Sequence, residues 1–247
     1  RRGTLLFSDT YIDSEIAFLV RRDRLGAGTG GRITGIEGLA GEKVGVQTGT
    51  TYETVLKQKI PEAIPVYFTT FTDQIEAVRT GKIAGFLTDE VVAQDMIRRT
   101  PGITYLPEWL RANEYAFAIS RDRPELQWQV NAVLRKMKQD GTLERLAEKW
   151  FGPDDALKVL PPFKTNGPKG AIRFATNSNS APFVYMKDGR LVGYDVETAM
   201  IVAEAIGYGL QVMDMDFAAI IPSLASGKAD MAGDFIAVTE ERAKSVL

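Results

Sequence analysis

Short apolar runs alternate with amphipathic stretches of about ten residues along most of the chain, and this alternation is the strongest constraint on its fold. Residues 43–47 (Lys-Val-Gly-Val-Gln) read as a strand. Thr48, Gly49, Thr50 and Thr51 then turn into a helix over 52–59, and a strand returns over 65–68. A helix over 72–79 is closed by Gly81. An apolar strand over 83–87 leads to Asp89, which opens the next helix. The second half repeats the pattern. Strand 172–176 precedes a helix marked by Val196, Met200, Ala203 and Ala205 and stopped by Gly207. Strand 211–214, helix 217–225 and strand 229–233 follow. Strands separated by helices need crossover connections, so the reading is an α/β fold with parallel pairs. A strand over 115–119 and a long helical stretch over 125–150, with Val130, Val133, Leu134 and Met137 on one face, belong to the same architecture.

Composition excludes several functions. The 247 residues hold 30 Lys and Arg against 32 Asp and Glu, a formal charge of −2, which gives no electrostatic case for nucleic acid. No apolar run reaches the roughly 18 residues that a membrane span needs. The chain has no Cys and no His. Disulfides, thiolate metal sites, cysteine nucleophiles and the Ser-His-Asp triad are therefore excluded, and the commonest general base and metal ligand are missing. The reading assigns no catalytic residue, no metal and no cofactor. The chain opens on Arg1, Arg2 and Gly3 without an initiator methionine. It reads as a mature or excised piece, and the missing signal peptide says little about compartment.

Two stretches look like linkers. Residues 26–31 (Gly-Ala-Gly-Thr-Gly-Gly) read as a flexible surface loop, because no strand and helix frame Gly28, Gly30 and Gly31 for dinucleotide binding. Residues 161–170 (Pro-Pro-Phe-Lys-Thr-Asn-Gly-Pro-Lys-Gly) follow the long helical stretch and precede a fresh strand, as a break between modules does.

Residues 172–177 (Ile-Arg-Phe-Ala-Thr-Asn), Ala181, Pro182 and Phe183, 189–196 (Gly-Arg-Leu-Val-Gly-Tyr-Asp-Val), 216–224, 227–230 and 239–242 (Thr-Glu-Glu-Arg) form an ordered set. This set resembles the start of a bacterial solute-binding protein of the polar amino-acid importer type, the extracellular solute-binding family 3. Residues 7–11, 38–51, 85–89 and the pieces at 140–143 and 149–152 resemble the rest of the same family. The order is inverted, with the family's carboxy-terminal part first. The family junction from the Thr-x-x-Arg motif into Phe-Ser is cut, and it is duplicated at an offset of 241 residues, with Arg1 as the counterpart of Arg242. One period of a natural tandem array explains this overlap more simply than a designed circular permutation. The resemblance implies a two-lobed Venus-flytrap fold with two crossing hinge strands, circularly permuted. One lobe would be 16–110. The other would combine 1–15, 111–162 and 171–247, with 163–170 joining the family's usual ends. A swapped dimer that exchanges halves would complete the same lobe.

The resemblance also implies a site for a small polar solute, most simply an amino acid. Arg242 is the candidate for the α-carboxylate, since a guanidinium offers a planar fork of donors. Thr239 opens its motif. Gln47, Thr50 and Thr51 form the opposing wall, at a helix N-terminus that favours anions. Asp89 stands where the family holds the ammonium. Asn177 and Phe217 are added as a hydrogen-bonding group and a flat packing surface. Asp234 replaces the family's usual small residue and suits a cationic side chain or a second amine. Ser180 stands where many relatives carry an aromatic ring, and Ala237 stands where they have a hydroxyl or small residue. The implied function is reversible binding outside the cytoplasm, with membrane permease subunits as partners. The tandem signature keeps a fused signalling module open, as in the sensor of a histidine kinase or nucleotide cyclase. A dehydratase-like or peptidoglycan-lyase-associated enzyme on the same fold is a further alternative.

Overall fold

The computed structural model describes residues 5–26, 33–110, 112–239 and 242. Arg1, most of the glycine-rich loop and the duplicated segment beyond Arg242 lie outside the described residues. The chain opens with β1 (Leu5–Phe7) and β2 (Ile12–Arg21). Then come β3 (Lys43–Gln47), α1 (Tyr52–Lys59), β4 (Ile64–Phe68), α2 (Phe71–Arg79), β5 (Gly85–Asp89), α3 (Glu90–Arg99) and β6 (Ile103–Tyr105). Strands β7 (Ala112–Tyr115) and β8 (Ala118–Ser120) lead into α4 (Pro124–Gln139) and α5 (Thr142–Phe151). The last part holds β9 (Ala171–Thr176), a meander of β10 (Asn179–Ser180), β11 (Val184–Lys187) and β12 (Arg190–Val192), then α6 (Tyr194–Ala205), β13 (Gly209–Asp214), α7 (Phe217–Ala225) and β14 (Met231–Ala232).

Several elements differ from the sequence reading: the strand expected over 229–233 is only Met231–Ala232, and three others differ for a local reason. The helical stretch over 125–150 is two helices, because Gly141 takes the left-handed conformation (φ 73°) that ends a helix. The strand expected over 115–119 is split. Ala116 donates its N–H to Ile236 O, and Phe117 exchanges bonds with Ser8, which withdraws both residues from the ladder. Strand β5 begins at Gly85 rather than Ile83, whose N–H closes the end of α2 on Ala77 O.

The fold is α/β and divides into two compact units, 14–113 and the combination of 1–13 with 114–247. The chain passes between them inside β2 and inside β7. The inserted unit is built on a sheet of order β4-β3-β5-β2-β6. In it β3 runs parallel to β4 and β5, and β2 runs antiparallel to β5 and β6. Helix α1 leads from β3 to the β4 edge, whereas α3 leads from β5 toward the β6 edge. The two connections leave the C-terminal ends of adjacent strands in opposite directions. Open α/β sheets bind ligands at such a switch point.

The other unit has a sheet of order β1-β8-β14-β9-β13, so it takes strands from both ends of the chain. Strands β13 and β14 flank β9 in parallel, and β8 pairs antiparallel with β14. After β9 the chain goes through α6 to β13 on one side, and after β14 it departs from the other. A second switch point therefore lies at the ends of β9 and β14. Leu5, Ala118, Ala175, Phe217, Leu224 and Ala232 share its core. The 161–170 stretch does not separate the two units. Its first part lies along the outer edge of β13, where Lys164 O accepts Leu210 N–H (2.9 Å), and its last residue, Gly170, leads into the β9–β13 ladder by accepting Gly209 N–H (2.9 Å).

A buried carboxylate ties this second unit together. Asp195, in the first turn of α6, accepts the Tyr11 hydroxyl on Oδ1 (2.9 Å) and the Phe235 N–H on Oδ2 (2.9 Å). Phe235 has φ 39°, a conformation that costs a bulky residue about 1–3 kcal/mol. Burial pushes the Asp195 carboxyl up to about 7, against the lowering effect of the two hydrogen bonds. Burial beside Asp195 raises the Tyr11 hydroxyl as well. Between about pH 4 and about pH 7 the folded state keeps a proton that the unfolded chain has released, so stability declines as pH rises through that window and levels off above it. Asp195→Asn should flatten the decline. Its amide oxygen can take the Phe235 N–H, and its NH2 can face the Tyr11 oxygen. Urea denaturation at pH 4.5 and 7.5 checks this; an unchanged pH slope in the variant would assign the titration elsewhere.

Candidate functional site

The inserted unit gathers its candidate residues at the C-terminal ends of β3 and β5. Asp89 closes β5 and is fully buried. It occupies the N-cap position of α3 but makes no side-chain capping bond there. Its Oδ2 instead accepts the hydroxyl of Tyr52, from the first turn of α1. Gln47 closes β3, is 1 % exposed, and donates from Nε2 to Thr69 O (3.3 Å). The turn between β3 and α1 is held by Thr50, whose Oγ1 donates to Gln47 O (2.7 Å) and accepts the Tyr52 N–H (3.3 Å). Thr50 thus performs the capping, although Thr51 occupies the N-cap position and makes no side-chain cap. The result is one carboxylate and two threonines at the start of a helix, beside a buried amide. Such a set can take an ammonium on the acid and an anion at the helix start.

The second unit gathers its own set at the ends of β9, β13 and β14. The Asn177 amide is committed at both ends, donating to Met215 O (2.8 Å) and accepting the Asn179 N–H (3.0 Å). It thus fixes the loop after β9. Phe217 opens α7, is 5 % exposed, and stacks on Phe235 with centroids 5.9 Å apart. The Arg242 guanidinium lies 5.9 Å from the Phe217 centroid, and its Nη1 donates to Ala237 O (2.9 Å). Thr239 Oγ1 accepts the Arg242 N–H (3.0 Å), the bond by which a threonine fixes the residue three positions on. Asp234 is fully buried and accepts the Ser180 hydroxyl (3.0 Å). Ser180, where an aromatic ring was expected, therefore pairs with the unexpected acid. The structure brings Arg242, Thr239 and Phe217 together, and the Asp234–Phe235 turn joins them.

Tyr52, as the partner of Asp89, and Asp195, as the partner of Tyr11 and Phe235, were missed. Their bonds span 37 and 184 residues of sequence, and no local spacing announces them. The only sequence signal for Tyr52 is its place one residue beyond the Thr50–Thr51 turn.

The family model for bacterial extracellular solute-binding proteins, family 3, matches residues 1–153 and 172–247. The chain belongs to that family. It is 32 % identical to the L-cystine-binding protein TcyJ of Escherichia coli K12, over 60 % of this chain and 54 % of that one. It is 26 % identical to the arginine-binding periplasmic protein of Mannheimia haemolytica, over 62 % and 61 % of the two chains. Among solved structures, an ancestral arginine-binding protein bound to arginine is 30 % identical with a TM-score of 0.53, over 60 % of this chain and 65 % of that one. The chain thus spans between half and two thirds of the length of the relatives it matches. The fold is that of the two-lobed periplasmic binding proteins, and amino-acid-binding proteins of transport systems are its relatives. No helix among the described residues is long and apolar enough to cross a membrane.

Tyr52→Phe removes a donor from a buried carboxylate and should cost about 1–3 kcal/mol of stability. Asp89→Asn, alone and in the Tyr52→Phe background, completes a double-mutant cycle whose coupling should be at least about 0.5 kcal/mol. Chemical denaturation of the two single variants and the double variant measures the coupling. Strict additivity would mean that the two side chains do not sense each other.

Proposed function

We propose that the protein binds a free amino acid reversibly, through the groups that each unit carries at its own switch point. The observation that carries this reading is the pair of switch points. One presents the buried carboxylate Asp89, and the other presents the guanidinium of Arg242. An α-amino acid carries the complementary pair of charges on a single carbon. In this reading Arg242 and Thr51 take the carboxylate and Asp89 takes the ammonium. Thr50 and Gln47 wall the side chain, Phe217 packs on it, Thr239 fixes Arg242, and Asn177 fixes the loop after β9. Asp234 suits a second cationic group. Arginine and cystine, the named ligands of the relatives above, each carry one.

The partner in this reading is the permease of an amino-acid importer, engaged outside the cytoplasm. The relatives are named as binding proteins, which supports an importer over a fused sensor module or an enzyme. We also read the chain as circularly permuted. The family model matches it in two blocks, and each relative cited covers only about three fifths of it. A relative with the usual order can align through only one block at a time.

Calorimetry against a panel of amino acids tests the function. Arg242→Ala and Asp89→Ala should each cost roughly 2–5 kcal/mol of binding energy, a loss of affinity of at least about thirtyfold. Full affinity in either variant would reject the assignment of that residue.

A further inference from the structure

The inserted unit carries a second buried polar cluster, on the face of its sheet opposite to Asp89. Gly45 and Phe86 are register partners in the parallel β3–β5 pair, so they share a face. Gln47 and Thr88 lie two residues further along and point to that same face. Helix α2 covers it. Phe71 and Phe86 have centroids 6.3 Å apart, and a Cβ added at Gly45 would meet Gln74 Oε1 at 2.8 Å. Gly45 therefore leaves the space that the Gln74 amide fills. Gln47, Gln74 and Thr88 are each at most 1 % exposed. Gln47 Oε1, both amide atoms of Gln74 and Thr88 Oγ1 have no hydrogen-bond partner among the described residues.

Such a concentration is unusual, because buried polar atoms are nearly always matched. The other buried residues of α2 are Phe71, Ala77 and Val78, so an apolar residue at position 74 would complete that face without cost. The orphan atoms also complement one another. Gln47 Oε1 and Gln74 Oε1 accept, Gln74 Nε2 donates, and the Thr88 hydroxyl does both. One water between them would meet the two to four partners that a buried water needs. Gln47 is itself held from its other end by Thr69 O, the residue that leads into α2.

We propose that Gln74 and Thr88 are positioning residues of the ligand site: with Gln47 they hold one shared buried water, which fixes the Gln47 amide against the side chain of the bound amino acid. The proposal rests on the amino-acid-binding reading above and adds the determinant of side-chain selectivity. It gives a role to two residues that touch no ligand in that reading.

Gln74→Leu and Thr88→Val keep similar volume and remove the polar atoms. Thermal denaturation and calorimetry with glutamine, arginine, cystine and alanine, on the full chain, give the two readouts. The expected result is a melting temperature below that of the parent, because the water and the remaining polar groups each lose a partner. Affinity for the best ligand falls at least about tenfold, and the order of preference in the panel changes. A purely structural role would move the melting temperature alone. Unaltered affinities and ranking in the variants overturn the proposal while leaving the amino-acid site intact. A parent chain that binds no member of the panel overturns both. Should Gln74→Leu fail to fold, Thr88→Val alone decides between these results.

Discussion

Strand β14 is two residues long, and the sheet that contains it depends on both of its neighbours. Met231 pairs with Phe174 of β9 on one side and with Ile119 of β8 on the other. That double pairing joins the last third of the chain to the segment after β7, and through β8 to β1 near the start. Without it, β9 and β13 would be a two-stranded parallel ribbon, too small to bury both of its faces. The Asp195 carboxylate reinforces the joint at the strand's exit. It bonds a tyrosine from the beginning of the chain and a backbone N–H just past β14, so one buried acid links three distant stretches.

Placement of the candidate ligand groups follows from the same topology. In each unit, parallel strands end where the connections diverge, and the loops there must carry polar groups because their backbones have left the ladder. The inserted unit uses the turn at Thr50 and the acid at Asp89. The other uses the turn through Asp234 and Phe235, with Thr239 anchoring Arg242 beyond it. The acids at these ends are buried and bonded to hydroxyls: Asp89 to Tyr52, Asp234 to Ser180, Asp195 to Tyr11.

Much of this was legible in the sequence because it is local. The β3 and α1 boundaries, the α7 boundaries and the parallel alternation follow from apolar period and turn residues. The Gly141 break inside 125–150 was visible as Asp-Gly but was masked by the apolar periodicity on either side of it. What local reasoning could not supply were contacts across the chain: Tyr52 on Asp89, Ser180 on Asp234, and the backbone bonds that split the strand at Ala116 and Phe117. Asn177 shows the same limit in reverse. Its position at the end of a strand suggested a ligand contact, and the structure adds two local bonds of its amide, to Met215 O and from Asn179 N–H. Side-chain chemistry is readable from a residue's type, but its partner depends on which strands lie next to each other.

The 161–170 stretch has an effect beyond joining α5 to β9 within one unit. Strand β13 is the outermost strand of its sheet, and an outermost strand exposes a row of N–H and C=O groups to any similar strand it meets. Lys164 covers part of that row by accepting the N–H of Leu210, while the N–H of Gly209 faces the other way, into the ladder with β9. The approach is close enough that a Cβ at Gly209 would lie 2.2 Å from Asn166 N. Only a residue without a side chain admits the cover. The inserted unit protects its β4 edge differently, with Pro65, which has no N–H to offer, between the exposed Ile64 and Tyr67. Each sheet is therefore guarded at an edge against pairing with another copy, so that high local concentration of the protein need not become aggregation.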